Sequence, residues 1–254
     1  GKNIKELKEL IAKLAPEPLA NKNILSGILN PGEFAVLVVP IDLEAPKGRL
    51  ILPQVQTIRE ILDNDSCCII VKERELKFAL ESLKNPPALV ITDSQAFLKV
   101  SADVPENIPL TSFSILMARQ KGDLEEFVKG ATSISKLKSG DKILIAEACT
   151  HHPIGEDIGR IKIPRWLTQY TGKKLEFIHV QGHDFPENLS EFKLIIHCGA
   201  CTLNRKHVQS RINKASQSSI PITNYGILIA HLMGILKRSI RSFPEMQNLL
   251  SELE

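Results

Sequence analysis

Short, nearly continuous apolar runs alternate with stretches of helical periodicity along this chain, and that alternation constrains its fold more than any other feature. The runs are Phe34–Val39, Cys67–Val71, Ala88–Thr92, Lys142–Ala146, Leu175–Val180, Lys193–His197 and Ile220–Thr223. A strand without polar alternation is covered on both faces, and a sheet covered on both faces by intervening helices is parallel. The intervening helices are expected near Val55–Leu62 and Glu73–Leu83, from Ser112 through Leu124–Val128 to Leu137, and over Pro164–Tyr170, Arg205–Ser216 and Tyr225–Ile240. Pro164 suits a first helical turn. At the start, Ile4, Leu7, Leu10, Ile11 and Leu14 fall at helical spacing before Pro16 and Pro18. The expected class is therefore α/β, with two consecutive parallel-sheet domains, flanking helices and a short N-terminal helix ahead of them. Pro105 and Pro109, in a stretch of little periodicity, place the division. We expect a linker helix over residues 1–19, a first domain over 20–112 and a second over 118–254. No sequence repeat links the two halves.

Composition excludes several function classes. Hydrophobic residues make up 43% and charged residues 24% of 254, which is ordinary for a packed domain rather than a disordered chain. The formal net charge of +3 is too balanced to make nucleic acid the expected partner. The longest apolar stretch, Tyr225–Leu236, contains His231 and is too short to span a bilayer. The opening GKNIKELKEL has no secretory apolar core. Five cysteines, an odd number, with three clustered among histidines, point to metal or redox chemistry in a reducing compartment. A cytoplasmic location with no membrane contact is the expectation.

The unusual residues lie in the second half. All seven histidines fall between His151 and His231, together with Trp166, Tyr170 and Tyr225. Cys149, Cys198 and Cys201 lie in or beside that region, and the remaining two cysteines, the adjacent Cys67 and Cys68, read as buried small hydrophobes within an apolar strand. Parallel α/β sheets bind ligands at the carboxyl ends of their strands. KILIA runs into Cys149, His151 and His152; LEFIHV into His183 and Asp184; KLII into His197, Cys198 and Cys201; PIT into Asn224 and Tyr225. The pattern is C-x-H, 45 residues, then H-C-x-x-C.

Two thiols on a strand-to-helix turn can share one metal or cluster, because a helix N-terminus favours the thiolate. With Cys149 as a third, the set suits a 4Fe–4S cluster with one open iron, or a zinc site completed by histidine. Spacing alone does not choose between them. Cys198 and Cys201 could also act as a redox dithiol without metal. A Cys–His hydrolase, pairing Cys149 with His151 or His197 and Asp184, leaves Cys198 and Cys201 without a role. His179 reads as a strand residue, and His207 and His231 as ordinary helix residues.

Longer runs around these residues carry a resemblance. EACTHH (Glu147–His152), EDIGRIKIPRW (Glu156–Trp166), HCGACTLNR (His197–Arg205) and PITNYGILIAHLMGIL (Pro221–Leu236) resemble the cluster-binding region of the HydF family of FeFe-hydrogenase maturation proteins. VVPIDLEAPKGRLILPQVQ (Val38–Gln56) resembles that family's dimerisation domain. The resemblance implies a homodimer through the first domain. It implies a scaffold or carrier rather than a turnover enzyme, holding a 4Fe–4S cluster on Cys149, Cys198 and Cys201. It also implies a diiron precursor bearing CO and cyanide as cargo, HydE and HydG as the maturases that make it, and apo-hydrogenase HydA as its recipient. Family members begin with a GTPase domain. No G-x-x-x-x-G-K-[ST] motif occurs here, so GTP hydrolysis is not expected of this chain, and its first helix fits the tail of such a domain.

His151 and His197 match the family's motif histidines and are candidate iron ligands. Delivery of cargo needs an exchangeable position, and a hard carboxylate is a labile partner for soft, thiolate-bound iron. Glu156, in the loop expected before Pro164, is the candidate fourth ligand. Arg160, Lys162 and Arg165 in the same loop could attract anionic cyanide ligands or an acidic partner surface.

Overall fold

The computed structural model describes residues 3–6, 8, 10, 23–41, 47–148, 157–182 and 184–252. Residues 4–6 are helical and precede two four-stranded parallel sheets with flanking helices. In the first sheet, β1 (Phe34–Val38), β2 (Cys67–Val71), β3 (Leu89–Thr92) and β4 (Leu110–Ser112) lie in the order β2-β1-β3-β4. In the second, β5 (Lys142–Glu147), β6 (Glu176–Gln181), β7 (Phe192–His197) and β8 (Ile222–Asn224) lie in the order β6-β5-β7-β8. The same winding occurs twice although the sequence shows no repeat.

The helices are α1 (Leu52–Asp63), α2 (Leu76–Ser82), α3 (Phe97–Asp103), α4 (Phe113–Lys121), α5 (Leu124–Thr132), α6 (Ile163–Thr171), α7 (Arg205–Gln217), α8 (Tyr225–Leu232), α9 (Leu236–Ile240) and α10 (Gln247–Glu252). Local chemistry sets their ends. Ser112 Oγ accepts from Ile115 N at the start of α4, and Asp123 Oδ1 accepts from Glu126 N at the start of α5. Asn204 and Asn224 do the same for α7 and α8. Gly172, at φ +66°, closes α6 in the left-handed conformation that glycine takes without strain. Helix α8 is apolar all round, as a helix packed on every side must be. It touches α4, α5, α6, β7 and β8, as well as the 3₁₀ turn Ser94–Ala96 that follows β3. One buried cluster, including Val36, Leu37, Phe97, Ile115, Phe127, Ile195 and Ile227, therefore runs through both sheets. A second covers the other face of the second sheet, from Ile143 and Ile145 to Leu167 and Leu228.

Several details depart from the sequence reading. The first sheet has a fourth strand, β4, where a helix was expected to begin; three residues after Pro109 carry too little periodicity to register. The long helix from Ser112 toward Leu137 is broken at Gly122 and Asp123 into α4 and α5, and Tyr225–Ile240 is broken near Gly234 into α8 and α9. A π-helical turn, Ile158–Lys162, replaces part of the loop before Pro164, so Arg160, Lys162 and Arg165 are helical residues. Strand β2 is not buried. It is the outermost strand of its sheet, paired on one side only among the described residues, with Cys67 exposed and Cys68 half-buried. The opposite edges, β4 and β8, are covered by α9 and α5.

Candidate metal centre

The order of the second sheet makes β5 and β7 neighbours, with Ala146 opposite His197. Their carboxyl ends, closed by Glu147 on β5 and His197 on β7, therefore lie side by side. Cys198 opens the turn after β7, and its Sγ accepts from the backbone N–H of Ala148 at 3.0 Å and of Ala200 at 3.4 Å. Two N–H donors aimed at one sulfur favour its thiolate. Ala148, bonded to the Cys198 thiol, directly precedes Cys149 in the sequence. Cys149, His151, His152, Glu156 and His183 lie outside the described residues. Among the described residues, no group of three His, Cys, Asp or Glu side chains gathers to hold a metal ion. Cys198 and Cys201 supply two soft donors on one turn, both half-buried, which fits thiolate-bound iron or zinc.

The turn itself is held in an unusual conformation. Ala200 has φ +53°, in the left-handed region, with its side chain buried. For a residue with a Cβ this costs about 1–2 kcal/mol. Lys121, at the C-terminal end of α4, reaches across and donates from Nζ to the carbonyls of Ala200 at 2.9 Å and Cys201 at 3.0 Å. Burial lowers the pKa of this ammonium, and the thiols of Cys201 and Cys198 oppose that shift. At the other end of α4, Asn224 Nδ2 donates to the Ser114 carbonyl at 3.1 Å. A Cβ on Gly226 would sit 2.7 Å from Ser114 Cβ, so glycine there lets α4 and α8 meet at their N-termini.

His197 is fully buried and its ring is bonded at both nitrogens. Nδ1 lies 2.8 Å from the Cys198 carbonyl and Nε2 lies 2.9 Å from Arg211 Nη1. The arrangement requires Nδ1–H to donate and Nε2 to accept, so the imidazole is neutral. Burial first, then the Arg211 charge, lowers its pKa to about 4, against the Cys198 carbonyl bond that opposes the shift. Arg211 also donates to the Gly182 carbonyl and lies over the Phe185 ring at 5.1 Å. His197 thus orients the cysteine turn and offers no ring nitrogen to a metal in this arrangement. Asp184 is exposed, and the Cys198 carbonyl and Arg211, not Asp184, are the partners of the two His197 ring nitrogens.

A buried acidic corner lies beside the turn. Glu147, at the end of β5, is 2% exposed and accepts from Tyr225 Oη at 3.3 Å and Gln181 Nε2 at 3.2 Å. Burial and then the charge of Glu147 push the Tyr225 phenol well above its ordinary range. A Cβ on Gly159 would lie 2.1 Å from Tyr225 Oη, so the π-helical turn makes room for this pair. His179 Nε2 lies 3.2 Å from the Gly159 carbonyl, which keeps it in the structural role expected of it. His207 and His231 lie on α7 and α8.

Sequence reasoning missed Lys121, Arg211 and Glu147. Glu147 carried a signal, a carboxylate closing a buried strand. Lys121 and Arg211 carried none, because each reads as an ordinary helix cation until the two sheets are brought together.

Two family models match the chain. The hydrogen maturase F dimerization domain covers residues 24–122, and the hydrogen maturase F tetramerization domain covers residues 125–242. Curated proteins gave no match.

Proposed function

The chain belongs to the hydrogen maturase F family, and from that premise we propose that it is a self-associating scaffold for hydrogenase maturation that holds a 4Fe–4S cluster. Cys149, Cys198 and Cys201 would hold the cluster, and Glu156 would be its exchangeable fourth ligand. In this reading the cargo is a diiron precursor bearing CO and cyanide, made with HydE and HydG and delivered to apo-hydrogenase HydA. The chain acts there as a carrier rather than as an enzyme.

The observation that supports this reading best is the 3.0 Å hydrogen bond from Ala148 N to Cys198 Sγ, which ties the residue before Cys149 to the thiol of the C-x-x-C turn. A cluster bound here would supply an iron whose fourth position exchanges ligands. The protein's own contribution is to keep two thiolates on one turn, with N–H donors on Cys198 and the neutral His197 beneath. Hydrogen bonds to the sulfurs and nearby charge are levers that set such a site's potential and stability.

Anaerobic reconstitution with iron and sulfide, followed by metal analysis and EPR after reduction, tests it. About four irons per chain with a reduced-cluster signal is the expected result. Glu156→Ala should keep the iron and change the spectrum; an unchanged spectrum removes Glu156 as ligand. One zinc per chain with no iron uptake would instead support a structural zinc module. Reversible Cys198–Cys201 oxidation without metal uptake would support a thiol-redox protein.

A further inference from the structure

We propose that Lys121 is a positioning residue of the cysteine turn, pinning the left-handed Ala200 so that Cys198 and Cys201 stay presented together. The proposal rests on the cluster reading only for its consequence on iron, and on geometry for the rest.

Three observations converge on it. First, the turn is strained where it matters: Ala200, between the two cysteines and directly before Cys201, sits at φ +53° without the side-chain polarity that helps Asn or Asp occupy that region. Second, the Lys121 ammonium is half-buried and directed at two consecutive carbonyls, those of Ala200 and Cys201, rather than at a carboxylate. Taking a lysine head out of water is unfavourable unless its donors are used, and here they fix one short stretch of backbone. Third, α4 is anchored at both ends to the second sheet's elements. Ser114 is bonded to Asn224, and Gln209 Nε2 donates to the Lys121 carbonyl at 3.4 Å. Lys121 lies within the dimerization-domain match, whereas Ala200, Cys201 and Gln209 lie within the tetramerization-domain match. A residue of the segment matched by one family model therefore holds the cysteine turn of the segment matched by the other.

Two consequences separate. Holding the turn is mechanical and exists without metal. Placing a cation near the thiolates is electrostatic and acts on a bound cluster, whose reduction becomes easier when positive charge lies close.

Hydrogen exchange on the full chain without metal reads the first. Lys121→Met should speed exchange of the amides of residues 199–202 by about tenfold, the loss of roughly one charged hydrogen bond. Ala200→Gly relieves the φ requirement, and in the Lys121→Met background it should slow exchange back toward the wild-type rate. Unchanged exchange in Lys121→Met overturns the proposal. On reconstituted protein, Lys121→Met should release iron to a chelator faster and show a more negative reduction potential, while Lys121→Arg keeps the potential near wild type. If the wild type takes up no iron, the cluster reading and the iron half of this proposal fall together, and the exchange result still decides the pinning.

Discussion

Arg211 Nη1 donates to His197 Nε2 at 2.9 Å, so a cation on α7 and a buried imidazole at the end of β7 share one proton-free nitrogen. That contact fixes the tautomer that lets Nδ1–H hold the Cys198 carbonyl. It also makes protonated His197 incompatible with the folded site. The folded pKa of about 4 lies below the ordinary value of 6.5, so between those two the unfolded chain binds a proton that the folded one does not. Stability from this residue is therefore complete above pH 6.5 and is lost as pH falls toward 4, by about 3 kcal/mol in total. Burial lowers His231 in the same direction. Urea unfolding of the metal-free protein between pH 7 and 4.5 should show that fall, and His197→Gln should show a shallower one from a lower start. Equal slopes would count against the assignment.

Arg238 is a lock between the two halves of the chain. Its guanidinium donates to the carbonyls of Ser101, Val104 and Pro105, at 3.0, 2.7 and 2.8 Å, and pairs with Glu106 at 3.1 Å. Its side chain is only 8% exposed. Arg238→Met leaves buried carbonyls without donors and should cost about 3 kcal/mol by denaturant unfolding. A cost below 1 kcal/mol would mean that water replaces the guanidinium.

Gly130 sets the distance between α5 and β8. A Cβ there would lie 1.9 Å from the Ile222 carbonyl oxygen, a backbone atom that cannot rotate away. Gly130→Ala should destabilise by roughly 3 kcal/mol or more through displacement of α5. Thermal or urea unfolding measures it, and near-wild-type stability would refute the close packing.

Among the described residues, each sheet has an outermost strand with no strand on its far side, β2 and β6. On β2, Ile69 and Ile70 are 37% and 46% exposed, and on β6 Ile178 is 42% exposed. An apolar strand edge left unpaired invites another strand, and a lysine placed there blocks it. The family models make self-association a property of both segments. Ile70→Lys and Ile178→Lys should each lower the molar mass seen by light scattering, and their combination should lower it further. An unchanged mass in both would move the interfaces elsewhere.

The carboxyl ends of the strands, and the cysteines that follow them, were legible because two periodic signals and one spacing sufficed. β2 shows the limit of that reading. Its run CCIIV carries the same apolar signature as the central β1, yet β2 is an edge, since burial on both faces depends on which helices cover it rather than on the strand. His197 shows the same limit in chemistry. Its place next to Cys198 suggested a ligand, and only the packing of α7 reveals that Arg211 occupies its outer nitrogen.

The sequence by itself determined the α/β class, the alternation of strand and helix, and the place of His197, Cys198 and Cys201 at the end of β7, because these depend on neighbours within a few residues. Tertiary structure alone decided that β5 and β7 lie side by side, that Lys121 reaches the Ala200 turn, and that one buried cluster joins both sheets. Those contacts join residues far apart along the chain, and their identity follows from strand order and helix packing, which no local pattern encodes.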